Sequence, residues 1–179
     1  MLSHLRPIFV GMANPQLGQD AGSLSGLVDV PSYISGYVDG EGCFSVSIAP
    51  RPTLSVGWEV RPSISVSQNA DRSEVLLMIQ RYFGCGAIRP DRSDQTLKWE
   101  TRSLPLLLQR VVPHFEAYPL MSAKRADSEL FAEVCRRMAR GLHRTDEGLK
   151  GIVSLVLRMN PGGRRRYVQH RQGRGEMKA

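Results

Sequence analysis

The chain has 179 residues, of which 41% are hydrophobic, enough for one folded domain with a buried core. Its formal net charge of +7 indicates a polyanionic partner, and its apolar runs are too short for a membrane span, so we expect no membrane partner. The three cysteines are widely spaced and the four histidines are isolated, a pattern that predicts neither a disulfide framework nor a zinc site. We therefore expect a reducing compartment, either the bacterial cytoplasm or an organelle matrix.

The first 28 residues are rich in Gly, Ser and Gln, show little periodicity and are predicted to form a flexible N-terminal extension. The folded domain is predicted to cover residues 29–158. Its first helix begins at Val30-Pro31, because the residue before a proline avoids the helical region whereas proline itself fits the first turn.

Two glycines, Gly36 and Gly40, lie four residues apart on one face of this helix, while Ile34 and Val38 point away from that face. A glycine inside a helix costs about 1 kcal/mol relative to alanine, so a pair at this spacing predicts close approach by another backbone. We expect that backbone to belong to a second copy of the chain. The predicted dimer interface consists of Ser32, Tyr33, Gly36, Asp39 and Gly40.

Two acidic residues, Asp39 and Glu41, end the helix, where the helix dipole disfavours negative charge unless a cation offsets it. Glu41 and Gly42 together offer a carboxylate and a backbone carbonyl, the oxygen ligands that Mg²⁺ or Ca²⁺ prefers. The alternative is an ordinary helix C-cap, with Gly42 in the left-handed conformation and two solvated acids. On these residues alone, both interpretations remain open.

The rest of the domain alternates pairs of strands with helices. Alternating polarity predicts strands at residues 43–48 and 58–67, and a polar turn at 91–94 joins two further short strands at 86–90 and 96–101. Helical spacing predicts a helix at 71–83, and apolar or amphipathic stretches predict helices at 104–115, 122–141 and 146–157. Ser122 is the predicted N-cap of the long helix. The pattern indicates an α+β domain, in which a four-stranded antiparallel sheet carries helices on one face.

The uncovered face of such a sheet would display alternate polar residues, and a strand of about ten residues spans on the order of ten base pairs. An ordinary solvent-facing sheet is the alternative. The candidate DNA contacts mix donors, acceptors and charge, and they are Ser45, Ser47, Arg51, Arg61, Ser63, Ser65, Arg89, Arg92, Lys98 and Glu100.

Residues 159–179 form a basic tail, rich in arginine and with Glu176 as its one acid. Such a tail binds phosphate non-specifically or is a solvated end of the chain, and the sequence favours neither interpretation.

Residues 35–42, S-G-Y-V-D-G-E-G, resemble the signature of the LAGLIDADG homing endonucleases, with Glu41 in place of the final Asp, a change that this family tolerates. The resemblance extends from Pro31 to Phe131. It includes the stretches Trp58 to Asn69, Gly84 to Arg89 and Pro119 to Asp127. No second motif is found, since Thr145-Asp146-Glu147-Gly148 lacks a preceding apolar helix, so the chain resembles the single-motif, homodimeric type.

The resemblance implies an αββαββα fold with a saddle-shaped sheet, followed by C-terminal helices. It implies a homodimer that cleaves both strands of a long, near-palindromic DNA target, encoded by a mobile intron. The cofactor would be Mg²⁺, with Ca²⁺ or Mn²⁺ as substitutes, bound by Glu41 and Gly42. The implied catalytic residues are Glu41, Gln68, Arg72 and Lys124, with Arg125 as the alternative to Lys124.

Two other functions remain open. One is a non-cleaving nucleic-acid binder of the same fold, an RNA maturase or a DNA-binding regulator, which the intact acid at position 41 disfavours. The other is a small α/β protein whose basic tail is incidental, which would be monomeric.

Overall fold

The computed structural model describes residues 29–91 and 96–160, so the N-terminal extension, Arg92 and nearly all of the basic tail lie outside the described residues. The first helix, α1, is Val30–Glu41. The Asp29 side chain accepts a hydrogen bond from the Ser32 amide and Pro31 lies in the first turn, which confirms the predicted start.

The sheet contains β1 (Gly42–Pro50), β2 (Trp58–Asn69), β3 (Ala87–Pro90) and β4 (Thr96–Thr101). All neighbouring pairs are antiparallel, in the order β1-β2-β4-β3, so the predicted four-stranded antiparallel sheet is confirmed. Helix α2 is Glu74–Phe83 and ends at Gly84, which has a left-handed conformation. The predicted helix start at Asp71 is wrong, because a 3₁₀ turn, Ala70–Arg72, separates β2 from α2.

The predicted helix at 104–115 is divided into three parts: α3 (Leu104–Leu106), a π-helical turn (Leu107–Val111) and α4 (Val112–Ala117). Pro113 explains the interruption, because its nitrogen carries no hydrogen to donate to the preceding turn and its ring crowds the carbonyl there.

The last two helices are α5 (Lys124–Ala139) and α6 (Asp146–Arg158). Helix α5 starts two residues later than predicted, and the predicted N-cap at Ser122 is wrong, because Ala123 occupies that position. The Ser122 hydroxyl still accepts the Lys124 amide at 3.1 Å. Thr145 caps α6 by accepting the Gly148 amide, so residues 145–148 start a helix, whereas the motif at 35–42 ends one.

One face of the sheet packs against the helices. Even-numbered residues of β1 and β2, such as Phe44, Ile64 and Val66, are buried with Trp99 of β4 in the main core. A second cluster joins α5 and α6 to the start of β2, through Val60, Val134, Met138, Leu149 and Ile152. The odd-numbered residues of β1 and β2 lie on the opposite face, hereafter the open face.

The three cysteines, Cys43, Cys85 and Cys135, are free thiols in this structure. Burial raises the pKa of Cys135 to about 12, so this thiol is unreactive at neutral pH. Among the described residues, no helix combines the length and apolar character that a membrane span requires.

A buried histidine, His114, joins α4 to both α1 and α2. Its Nε2 lies 3.1 Å from the Ser35 hydroxyl and its Nδ1 lies 3.0 Å from the Tyr82 hydroxyl. Ser35 donates its own hydrogen to the Tyr118 carbonyl at 2.7 Å, so it must accept from His114 Nε2, and Tyr82 must donate to Nδ1. The neutral tautomer satisfies all three bonds. Burial lowers the pKa of His114 to about 4, although Asp29 acts in the opposite direction.

Because His114 is buried in its neutral form, we expect the folded protein to lose stability on mild acidification. Between pH 6.5, the ordinary pKa of histidine, and about 4, the unfolded chain binds a proton that the folded chain excludes. The free energy of unfolding therefore falls as the pH is lowered, by about 2 kcal/mol across that window. Urea unfolding at pH 7.5 and pH 4.5 measures this change, and His114→Gln, which keeps two polar groups but does not titrate, should lack it. An equal pH dependence in the variant would contradict the assignment.

Candidate active site and nucleic-acid interface

Helix α1 has one buried face and one bare face. Ile34 and Val38 are fully buried, whereas Ser32, Tyr33, Gly36 and Gly40 are exposed on the opposite side. A Cβ atom added to Gly36 or Gly40 would meet no atom within 4 Å. Packing within the described chain thus gives no reason for either glycine.

The Asp39 carboxylate is used within its own chain. It accepts hydrogen bonds from the Met121 and Ser122 amides, at 3.0 Å and 2.9 Å, and from the Ser122 hydroxyl. Burial alone would raise the pKa of Asp39, but these hydrogen bonds and the nearby Lys124 hold it below its usual value. The helix places Asp39 at the edge of the predicted dimer face, but its carboxylate ties α1 to the segment before α5.

Glu41, the last residue of α1, is exposed, and within the described residues it forms neither a hydrogen bond nor an ion pair. Gly42 follows with φ −82° and ψ 157°, which is extended, so a left-handed C-cap is the wrong explanation for this glycine. Its small size is what matters: an added Cβ would lie 2.5 Å from Val38 Cγ1 and 2.7 Å from the Val38 carbonyl oxygen. The backbone therefore turns directly from the helix into β1.

Lys124 contacts the same helix end. Its Nζ donates to the carbonyl oxygens of Val38 at 3.1 Å and Gly40 at 3.2 Å, two acceptors in the last turn of α1. A cation in this place offsets the negative end of the helix dipole. The alternative residue, Arg125, instead forms an ion pair with Glu129 along α5. Lys124 is therefore the basic residue that the structure brings to the motif.

Gln68 and Arg72 lie beside α1, at the end of β2 and in the turn that follows it. Gln68 donates from Nε2 to the Tyr37 hydroxyl oxygen, and its Oε1 accepts the Asn69 amide at 2.7 Å. Tyr37 is a neighbour that the sequence argument missed. Both Gln68 and Arg72 line one depression against α1, together with Tyr33 and Tyr37.

The eight predicted contact residues that lie within the strands all map to the open face, because strand register sets which side chains share a face. Ser47 pairs with Arg61 and Ser45 with Ser63, while Lys98 stands between Ser67 and Arg89. Ser65 is only 8% exposed, enclosed between its partners in the neighbouring strands, so its reach toward a ligand is short. Arg51 follows β1 in the loop.

Two acidic residues of the open face form ion pairs with basic residues beside them. Glu59 forms ion pairs with Arg51 at 2.6 Å and Arg61 at 2.5 Å, and the hydrogen bond from Arg61 is the main cause of its lowered pKa. Glu100 pairs with Arg102 at 2.9 Å and lies 3.9 Å from Lys98. Alternation and register also place Cys43, Glu59, Ser67 and Asn69 on this face, and Arg102 follows β4, although none of them was predicted as a contact residue.

Across the described ranges, no three His, Cys, Asp or Glu side chains cluster in a way that could hold a metal ion. One chain offers only the Glu41 carboxylate and the neighbouring Gly42 carbonyl at the motif. These groups fit Mg²⁺ or Ca²⁺ in type but not in number, since such ions take six or more oxygen ligands. Further ligands must come from a second motif, from water or from a phosphate.

The fold and the site define an α+β domain in which an acidic helix end stands at the edge of an exposed polar sheet. The LAGLIDADG endonuclease profile matches residues 34–135, more than half of the sequence. The chain therefore belongs to the LAGLIDADG endonuclease family.

Relatives occur in fungi, algae and archaea. The chain is 33% identical over 133 residues to a probable intron-encoded endonuclease 2 of Neurospora crassa, covering 74% of this chain and 29% of that protein. It is 31% identical over 116 residues to the homing endonuclease I-ApeII of Aeropyrum pernix, covering 64% of this chain and 68% of that protein. It thus spans less than a third of the Neurospora protein.

Solved structures show the same fold. The homing endonuclease I-TnaI superposes with a TM-score of 0.70 at 34% identity, covering 74% of this chain and 89% of that one. I-LtrWI bound to target DNA gives a TM-score of 0.74 at 29% identity, covering 84% of this chain and 52% of that one. I-SmaMI, bound to an uncleaved DNA target in the presence of calcium ions, gives 0.71 at 27% identity, covering 77% and 47%.

Proposed function

We propose that this chain is a site-specific, double-strand DNA endonuclease that works as a homodimer on a long, near-palindromic target. One observation carries the proposal: the Glu41 carboxylate is exposed and free of partners within the described chain, at the edge of the open face, while its neighbour Asp39 is fully engaged. Lys124 offsets part of the negative charge at this helix end by binding the Val38 and Gly40 carbonyls, and the Glu41 carboxylate remains open to a further cation.

The open face supports DNA as the substrate. Its donors, acceptors and charged groups lie in rows across four strands, which suits the edges of bases and the phosphates of a groove. I-LtrWI and I-SmaMI were both solved as complexes with DNA.

The bare face of α1 supports a dimer. Gly36 and Gly40 leave space that nothing in the described chain fills, and two such faces can pack together around a two-fold axis. If that axis runs along α1, both Glu41 residues approach one DNA duplex from the same side. The symmetric protein then predicts a near-symmetric target.

Mg²⁺ is the proposed cofactor, held by Glu41 and the Gly42 carbonyl of each copy, with Ca²⁺ or Mn²⁺ as substitutes. A bound divalent cation would supply Lewis acidity and offset the charge of the phosphate. Gln68 would orient water, Arg72 would bind a phosphate oxygen, and Lys124 would stabilise the end of α1 and the charge beside it. In this arrangement the Asp39 carboxylate supports the helix end that carries Glu41, through its hydrogen bonds to the Met121 and Ser122 amides.

We expect the loss of a positive charge to weaken DNA binding only where the residue lies on the open face. Arg61→Ala and Lys98→Ala should each weaken DNA binding by about tenfold and lower the dependence of log Kd on log salt by about one, because each removes a phosphate contact. Arg136→Ala is the matched control, since Arg136 pairs with Glu116 on the helix side of the domain. Fluorescence anisotropy with a selected duplex in Ca²⁺ at several salt concentrations measures both quantities. Equal losses for all three variants would argue against the open face.

The names of the Neurospora relatives describe intron-encoded proteins. We propose that this chain is likewise the product of a mobile intron and acts on DNA in a bacterial cytoplasm or an organelle matrix.

Selection of cleaved duplexes tests the proposed function directly. The wild-type protein is incubated with Mg²⁺ and a randomised duplex library, and the cut ends are ligated and sequenced. The expected result is one enriched, near-palindromic site of about twenty base pairs, cut on both strands. Binding without cleavage of any duplex would support the nucleic-acid binder instead.

A further inference from the structure

The orientation of the Gln68 amide is fixed by two contacts. The Asn69 backbone N–H can only donate, so the group 2.7 Å from it must be the Gln68 carbonyl oxygen. The amide nitrogen therefore faces the Tyr37 hydroxyl, to which it donates. A flipped amide would set two donors against each other at Asn69 and lose that bond.

This assignment determines the role of the Tyr37 hydroxyl. Its oxygen accepts the Gln68 hydrogen bond, so its own hydrogen is left to donate elsewhere, and within the described residues it has no acceptor. The ring of Tyr37 is half-buried and stacks on Tyr33, with centroids 6.2 Å apart, which holds the hydroxyl in place.

The space in front of these groups is a depression of about 370 Å³. Its polar lining consists of Tyr33, Tyr37, Gln68, Arg72 and Glu74, and its apolar lining of Val75 and Met78. The lining thus combines three groups that can donate hydrogen bonds, the Tyr37 hydroxyl, the Gln68 amide and the Arg72 guanidinium, with one acceptor, the Glu74 carboxylate. Such a set suits an oxygen atom of the DNA backbone and the water around it.

We propose that Tyr37 is a positioning residue for Gln68: its hydroxyl locks the amide so that the free N–H points into the depression beside the motif. This inference rests on the proposed function, because it assigns Tyr37 a part in the same cleavage reaction. Tyr37 stands inside the motif but acts through β2, which links the motif helix to the sheet that contacts DNA.

Tyr37→Phe tests the inference by removing one oxygen atom and keeping the stacked ring. With Mg²⁺ and the selected duplex, the single-turnover cleavage rate should fall about tenfold, while the Kd for DNA in Ca²⁺ changes less than about twofold. Tyr118→Phe, a matched loss of a hydroxyl on another aromatic side chain, should cleave at the wild-type rate.

A double-mutant cycle separates positioning from general damage. If Tyr37 acts through Gln68, the double variant Tyr37→Phe/Gln68→Ala should cleave no more slowly than Gln68→Ala alone. A further tenfold loss in the double variant, or a wild-type rate for Tyr37→Phe, overturns the inference.

The Gln68 resonances of the free protein, measured without DNA, separate the test of the Tyr37 contact from the test of the proposed nuclease function. In the free protein, the Gln68 side-chain amide resonances should shift on Tyr37→Phe, with the melting temperature nearly unchanged. If wild-type protein cuts no duplex, the proposed function fails, and the resonances still report on the contact. If they do not respond to the substitution, the contact is absent and the positioning role is refuted.

Discussion

Glu41→Gln should abolish DNA cleavage while leaving DNA affinity nearly intact. The substitution keeps the size and shape of an exposed side chain that contacts no group in the described chain, so the fold should not change. It removes the negative charge that we assign to the metal. The cleavage rate in Mg²⁺ should fall by about 10³-fold or more, equivalent to about 4 kcal/mol of lost transition-state stabilisation.

Two controls accompany this measurement. Glu129→Gln changes a matched exposed glutamate on α5, whose partner is Arg125, and should cleave like the wild type. Asp39→Asn should chiefly lower stability, because Asp39 holds the amides of Met121 and Ser122. A Glu41→Gln protein that cuts at the wild-type rate would remove the basis of the proposed chemistry.

Gly36→Ala and Gly40→Ala should stabilise the isolated fold and weaken the dimer. An added methyl meets nothing within 4 Å in the chain, and alanine favours a helix by about 1 kcal/mol over glycine. Against a second helix the same methyl would overpack a close contact, at a cost of about 1–3 kcal/mol, or roughly fivefold to 150-fold in the dimer Kd. We therefore expect each substitution to raise the free energy of unfolding of the isolated chain and to weaken its association into a dimer.

Chemical denaturation measures the first effect, and analytical ultracentrifugation over a range of concentrations measures the second. Gly42→Ala provides the contrast, because its methyl would collide with Val38 of the same chain and should lower stability. If the wild type is monomeric on DNA, or if Gly36→Ala associates as well as the wild type, the glycine face has another purpose.

Much of the fold follows from local pattern. Alternation located β1 and β2, because one sheet face is buried and the other is polar, and a polar turn located β3 and β4. The two faces of α1 were clear from helical spacing alone. Boundaries failed where backbone chemistry competed with pattern. Pro113 interrupts an apolar stretch that reads as one helix, and the turn at Ala70–Arg72 delays α2 by three residues relative to its predicted start at Asp71.

The candidate site was also predicted only in part, because local sequence pattern does not determine which side chains meet. The resemblance to the family pointed to Glu41, Gln68 and Lys124, but the hydrogen bonds of Gln68 and Lys124 depend on tertiary contacts between residues far apart in sequence. The Tyr37 contact with Gln68 spans 31 positions and the Lys124 contact with Val38 spans 86. Spacing along the chain carries no information on which side-chain atoms meet across such separations.

The paired contacts of Asp39 and Lys124 bind the end of the motif helix to the beginning of α5 from both directions, carboxylate to amides and ammonium to carbonyls. Anyone who builds a hybrid nuclease by transplanting the first helix from a relative should therefore transplant residues 120–124 with it. If residues 120–124 were not transferred, the acid of the grafted helix and the lysine of the host would each lose the partner that Asp39 and Lys124 have here. The end of α1 that carries Glu41 would then be held less firmly, even though every residue of the motif was retained.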